Sequence, residues 1–567
     1  MAFAPVPAPE ETVRLYQTGA LATELARYHE HDGDTDSFIA QCIRLHNEGA
    51  IDLVAIPTTP AFAAITGRDF FVAQHLYCEA IPKLDIDVAA LMQCCSALIA
   101  QAGQDGAAGQ PNAAFQLWCV AHADQAQSVV EQAKDGEPLA VQFVSFALRA
   151  ANDIGTAIAF VQSYTDTRRI AGVHALGHMR YADAPAANDA IRVLQPYVDS
   201  NNDDDVRFNA VRAAFDILKA LPDTGLARQL VGATITDASP TMLHALAEIV
   251  RLHHALLDDT SLGKALAALQ AVPPGNRGTI NILDIGLRQL LGTPREAFTL
   301  DYITDKLRDG GLTIEAFDSI AHALRQSDPD RLYRLIVRWL LSRSIALCGN
   351  VTDLVGVERE RPFDTSVAPL SLSDVQQLLL CRKAIGFLFV KPVVGCSIIV
   401  SVLRAAKPQT ADAIARLLFD PVLLNYGGSA KEYLKSIPSS DVAYPFIQKA
   451  LAEDDTFYKG LDSVGIVKEL HPSDYQRSVV AQRIRDEMRT VHKLAEQKSV
   501  FIHLVHRSTI LYGKRSLTYV EDHGGSTRAV AMDLKSFGTS IELPRHEILD
   551  PVGLDYMLRV YRVEKLK

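Results

Sequence analysis

The stretch "YHEHDGDTD" from Tyr28 crowds His29, Glu30, His31, Asp32 and Asp34 together. Imidazole and carboxylate groups are ligands for a divalent metal. Residues two apart on a helix do not share a face, so His29, His31 and Asp32 could chelate only from a loop. The reading taken is a solvated turn between helices, with Asp34 or Asp36 capping the next helix. A second group is basic. Arg477, Arg483, Arg485, Arg489, Lys493, Lys498, Arg507, Lys514 and Arg515 gather near the C-terminus, with Phe501, Tyr512 and Tyr519 among them. Together these could make a groove for the phosphates of a nucleic acid, with a stacking surface. A solvated helix face followed by strands with half-buried aromatics has the same composition, and that reading is preferred. His174 and His178 are spaced i, i+4 and could chelate a metal, although a repeat helix commonly carries such groups on its outer ridge. His253 and His254 are adjacent and carry less weight.

Phosphate-loop, dinucleotide-loop, zinc-protease and serine-hydrolase signatures are absent from the sequence. Asp522 ends one predicted strand, and Asp533-x-Lys535 falls on the next. This arrangement is similar to the PD-(D/E)xK nuclease core. The resemblance implies that Asp522 and Asp533 hold Mg²⁺, that Lys535 stabilises charge at the attacked phosphate, and that Glu487 or Glu496 adds an acid. No Pro precedes Asp522, and no flanking helices follow. An alternating strand with charged outer positions yields Asp-x-Lys on a surface hairpin. No catalytic residue, metal or cofactor is therefore assigned.

The elements that would position these groups are mostly helices. Three stretches read alike: "TRRIAGVHALGHMRYADAPAANDAIRVLQPYVD", "DDDVRFNAVRAAFDILKALPDTGLARQLVGAT" and "SPTMLHALAEIVRLHHALLDDTSLGKALAALQAV". Each is an amphipathic helix, a polar turn and a second amphipathic helix, and such a unit must stack on its neighbours to bury its apolar face. Arg169, Val173 and Ala175 match Arg207, Val211 and Ala213. Asp205-Val206-Arg207 opens a helix, with Asp205 placed to accept from free backbone N–H groups and Val206 and Ala210 facing inward. Over about residues 168–273 the pattern resembles HEAT repeats, which implies an α-solenoid that works by offering surface.

Composition agrees. Aromatics are 7% of the 567 residues and charged residues 22%, a globular, helix-favouring balance. The net charge of −11 disfavours nonspecific nucleic-acid binding by the whole chain. From Arg477 onward, however, 16 Lys/Arg face 11 Asp/Glu, so an acidic body carries a mildly basic tail. Eight cysteines without a C-x-x-C pair read as reduced core residues. The N-terminus lacks a secretory pattern. The most apolar run, from Ala384, is broken by Lys391-Pro392 and reads as two buried helices rather than a membrane span. A cytoplasmic protein is expected.

The expected architecture is mainly α: an α-solenoid of HEAT-like helix pairs plus a helical bundle, with a small C-terminal β-rich module. Its parts are an N-terminal helical region (1–100), a Gly-rich connection from Gln101, a repeat array (113–347), an insertion (348–374), a bundle ending in a long amphipathic helix (375–497), and a β module (499–567). In that module "SVFIHLV", "STILYG", "SLTYVED", "RAVAMDLK" and "TSIELP" are strands, and "MLRVYRVEKL" closes the sheet. The expected role is a non-enzymatic scaffold that binds a protein partner. The alternative is a nucleic-acid binder, or a metal-dependent nuclease, acting through the C-terminal region.

Overall fold

The computed structural model describes residues 6–30, 34–103, 109–199, 201–236, 238–356, 361–465, 467, 472–498, 509–512, 515–521, 527–533 and 542–566. The chain is mainly helical and divides into two compact units, Met1–Ser327 and Asp328–Lys567.

The first unit is built from short helices with side-chain caps. Asp87 accepts from Ala89 N at the start of one helix, and Thr59 from Phe62 N at the start of another. Asp34 caps Thr35–Asn47, as expected. The connection after Gln101 is shorter than expected, because a helix already begins at Gly109. From there the helices alternate: α1 (Ala123–Lys134), α2 (Pro138–Ala151), α3 (Ile154–Ser163), α4 (Thr167–Gly177), α5 (Ala184–Leu194), α6 (Asp204–Ala220), α7 (Thr224–Ile235), α8 (Pro240–His253), α9 (Asp259–Leu269), α10 (Arg277–Arg288), α11 (Glu296–Leu307) and α12 (Asp318–Ser327). Every even-numbered helix packs on the next even-numbered one, from α2 through α12. The odd helices touch one another less. Contact between even helices is close enough to exclude a Cβ. One added at Gly177 of α4 would lie 2.8 Å from Cα of Ala213 in α6, and one at Gly286 of α10 would lie 2.9 Å from Cα of Arg251 in α8.

Polar bonds step along the same direction. Trp118 Nε1 donates to Leu84 O, Tyr197 Oη to Val161 O, Arg207 Nη2 to Thr236 O and Tyr302 Oη to Leu269 O. Asp284 of α10 accepts from the backbone N–H of Ser319 and Ile320 at the start of α12, both at 2.9 Å. These bonds join residues 29 to 36 positions apart, about one helix pair. They recur on both sides of residues 168–273.

Two details correct the sequence reading of α6. The cap is Asp203, which accepts from Asp205 N, while Asp205 lies inside the first turn. The residue that turns fully inward there is Arg207, with Val206 only half-buried. Arg207 is 3% exposed because its guanidinium is satisfied by Val198 O, Thr236 O and Asp204. Its predicted match, Arg169, donates to Val161 O and lies 4.9 Å from the Tyr197 ring.

The second unit contains α13 (Pro329–Leu340), α14 (Ile345–Val355), α15 (Asp374–Leu388), α16 (Pro392–Leu403), α17 (Pro408–Leu417), α18 (Ser429–Ser436), α19 (Tyr444–Val464) and α20 (Asp474–Lys498). Here α13, α15, α17 and α19 pack in succession, and α16 packs on α18. The expected insertion begins later than Cys348. Ser344 caps α14, and Leu347, Cys348, Val351 and Leu354 are buried at helical spacing. The broken apolar run does form two buried helices, α15 and α16, and no described helix is long and apolar enough to cross a membrane.

Three short strands follow: β1 (Thr509–Tyr512), β2 (Arg515–Glu521) and β3 (Thr527–Asp533), paired antiparallel in that order. The run "SVFIHLV" lies outside the described residues. Glu542–Pro544, the end of "TSIELP", is not a strand. The expected closing strand "MLRVYRVEKL" is instead part of helix α21 (Pro551–Val563). Asp550 caps it at Gly553 N and Pro551 occupies its first turn. Leu554, Met557, Leu558 and Tyr561 then fall at helical spacing on the covered side. Val560 and Val563, which complete the apparent alternation, are exposed on the other side. α21 packs on α15, where Lys383 Nζ donates to Arg562 O at 2.5 Å and Arg562 Nε to Gly386 O at 2.6 Å. Just upstream, Glu542 accepts from the backbone N–H of Gly428 and Ser429.

Candidate functional site

A row of titratable side chains lies on the even helices of the first unit. His174 of α4 and His178, at the C-cap of that helix, have ring centroids 4.9 Å apart. The His174 ring also meets Phe146 of α2 edge-on at 5.7 Å, and Arg149 lies over that same Phe146. On α6, Asp216 Oδ1 is 3.5 Å from Nε2 of His253 in α8, and Arg212 Nε is 3.8 Å from Glu248 of α8. Four successive even helices thus supply one continuous polar row.

Each charge state has a physical cause. Burial pushes His174 down to about 4, and the nearby His178, Arg149 and Arg212 push the same way against Asp216. His178 is lowered as well, first by burial and then by Arg149. Burial raises Asp216, but its hydrogen bond to His253 and the neighbouring His178 and Arg212 outweigh that and hold it below the usual carboxylate range. Burial also lowers Arg149. His253 is 4% exposed, and its Nδ1 has no hydrogen-bond partner. The row mixes neutral imidazoles with ion pairs and holds no nucleophile beside a base. Among the described residues, no group of three or more His, Cys, Asp or Glu could hold a metal. The row offers charged and hydrogen-bonding groups side by side.

The residues singled out from the sequence are placed as follows. His31 and Asp32 lie outside the described residues, and His29 is in the last turn of the helix Leu21–Glu30, with only its backbone described. Asp522, Lys535 and Lys514 also lie outside them. Asp533 ends β3, in register with Arg515 of β2. Arg477, Arg485, Arg489 and Lys493 are all exposed on α20. There Arg477 pairs with Asp474, Arg489 with Asp486 at 3.4 Å, and Arg483 with Glu487 and Glu547. Local acids thus neutralise much of that helix's positive charge. Its predicted apolar side is uncovered: Val480, Met488, Val491 and Leu494 are all exposed.

Sequence reasoning set His174 and His178 apart but missed Arg149, Asp216 and Glu248. Their signal is a position on successive second helices, and only the stacking register reveals it. No protein-family model matches the chain, and no curated protein matches it.

Proposed function

We propose that the chain is a non-enzymatic scaffold whose first unit is a HEAT-like α-solenoid gripping a protein partner on the layer of even-numbered helices. The observation that carries this reading is the succession of packed even helices tied by bonds one helix pair apart. The layer that packs more closely becomes the inner side of a curved stack, so the row from Arg149 to His253 would line a concave groove. The C-terminal strands, read as a small β module, would offer a second contact. Eight cysteines, none in a disulfide, suit a reducing compartment, and cytoplasmic residence is proposed with the scaffold role.

A photo-crosslinking residue at Arg212 on α6 should trap a partner in extracts of the native cell, whereas one at Arg192 on α5 should not. Equal capture from both positions, or from neither, would remove the reading.

A second reading rests on the exposed cations of α20: nucleic-acid binding through Arg477, Arg485, Arg489 and Lys493. A low-salt gel shift tests it, with Arg485→Glu and Lys493→Glu expected to weaken any complex. If DNA and RNA are both ignored, this alternative is lost. Any cleavage that persists in Asp533→Ala eliminates the nuclease form.

A further inference from the structure

One cation of the even-helix row has no counter-charge. We infer that Arg149 and His178, with Arg212 beside them, bind an acidic side chain of the partner, a carboxylate or a phosphate ester. The inference rests on the reading of the even helices as the partner-binding layer.

Two sets of contacts bring these side chains together. Asn152, just past the end of α2, donates to Arg180 O at 3.0 Å and accepts from Arg180 N at 2.8 Å. The last turn of α2, which carries Arg149, therefore lies beside the end of α4, which carries His178. On the other flank the Gly177 backbone sits against Ala213 of α6, which sets His178 next to Arg212. Both arginines act on the charge of the His178 ring.

Arg149 supplies the independent observation. It is half-buried, with its guanidinium 5.4 Å from the centre of the Phe146 ring. Its Nε is buried and has no hydrogen-bond partner, and among the described residues no carboxylate pairs with it. Only Nε is closed off, so the two terminal nitrogens stay open to a ligand. The half-buried Arg168, Arg169 and Arg295 each donate to a backbone carbonyl instead. Asp216 is turned to His253 Nε2 at 3.5 Å, and Glu248 to Arg212 Nε at 3.8 Å, so neither neutralises Arg149. A guanidinium partly withdrawn from water without an acceptor is unfavourable, and an oxyanion satisfies it through two parallel bonds.

His178 adds a signature. Its Nδ1 meets His174 O at 3.2 Å. A carbonyl only accepts, so Nδ1 carries the proton and Nε2 of the neutral ring is bare. An oxyanion bonds at Nε2 only when that nitrogen takes a proton from solvent. The groups that face the ring are Arg149, His174, Arg212 and Asp216, and a bound anion shifts their balance toward the charged form.

The test is histidine NMR of the full chain with isotopically labelled imidazole rings, the His178 signal being assigned by its loss in His178→Gln. The probes are Ac-Ala-Ala-Xaa-Ala-Ala-NH₂ with phosphoserine, Glu or Gln at Xaa. At least one acidic peptide should shift the His178 signal saturably and raise its titration midpoint by about one pH unit, and the Gln peptide should not. A response to phosphoserine alone assigns a phosphate ester, and a response to Glu assigns a carboxylate. Arg149→Gln should weaken binding roughly tenfold, the loss of one charge-assisted contact, with the circular dichroism spectrum unchanged. Arg212→Gln, at an exposed position, should also weaken it, whereas Arg192→Gln on α5 should not. No saturable shift with either acidic peptide, an equal shift with the Gln peptide, or indifference to both Arg149→Gln and Arg212→Gln would overturn the inference. Crosslinking at Arg212 reads partner capture and this titration reads the anion alone, so either result can fail without the other.

Discussion

Arg207 shows how a single residue can tie the array together. Its guanidinium reaches Val198 O behind it, Thr236 O ahead of it and Asp204 beside it. Arg207→Ala strands two buried carbonyls and opens a gap, so a loss of about 2–4 kcal/mol is expected in urea unfolding. Arg207→Lys should recover only part of it, since one ammonium cannot span all three acceptors. His174 gives the pH dependence. Its folded value of about 4 lies below the unfolded value of about 6.5, so the unfolded chain binds the extra proton between them. Stability is therefore fully present above pH 6.5, declines as pH falls toward 4, and levels off below. The expected loss is on the order of 2 kcal/mol after discounting for partial exposure. His174→Gln should flatten that part of the stability–pH curve, and an unchanged slope would mean that other groups set it. The candidate row itself was half legible: i, i+4 spacing marks His174 and His178 in any sequence. Nothing local marks Asp216 or Glu248, because each meets the others only when the even helices pack together.

Among the elements, the even helices approach so closely that side-chain size decides their spacing. Gly177→Val and Gly286→Val should each separate a helix pair, costing roughly 1–3 kcal/mol by overpacking. Native-state hydrogen exchange should locate the loss at α4–α6 and at α8–α10 respectively. Asp284→Ala removes the acceptor for two backbone N–H groups at the start of α12. It should speed exchange there and leave α2–α6 protected. Element type was readable where caps and apolar spacing agree, as at Asp34, Asp87 and α20. It was misread at α21, where seven residues of alternation fit a strand, while the Asp550–Pro551 start and the covered side against α15 impose a helix. It was misread again at α14, where Gly349 and Asn350 look like a loop but Leu347, Val351 and Leu354 bury a helical stripe.

For the whole molecule, the division into two units carries its own expectation. Residues 1–327 contain their own buried core and bonds between helix pairs, so that segment alone should unfold cooperatively, and a non-cooperative melt would contradict it. Removing residues 542–567 should lower the midpoint of the second unit and promote binding of a hydrophobic dye. The deletion uncovers Lys383 and Gly386 on α15 and frees the start of α18 from Glu542.

Composition and helical periodicity were enough to specify a mainly helical chain whose amphipathic pairs must lean on one another, because that pattern acts through nearest neighbours along the chain. Which pair meets which, how closely, and which polar groups are thereby brought together was decided by the stacking. The bonds between pairs run from varied side chains to backbone groups, and backbone carries no residue identity to read. The same limit hid α21, whose return to α15 from more than 160 positions away depends on a surface that exists only once the second unit has formed.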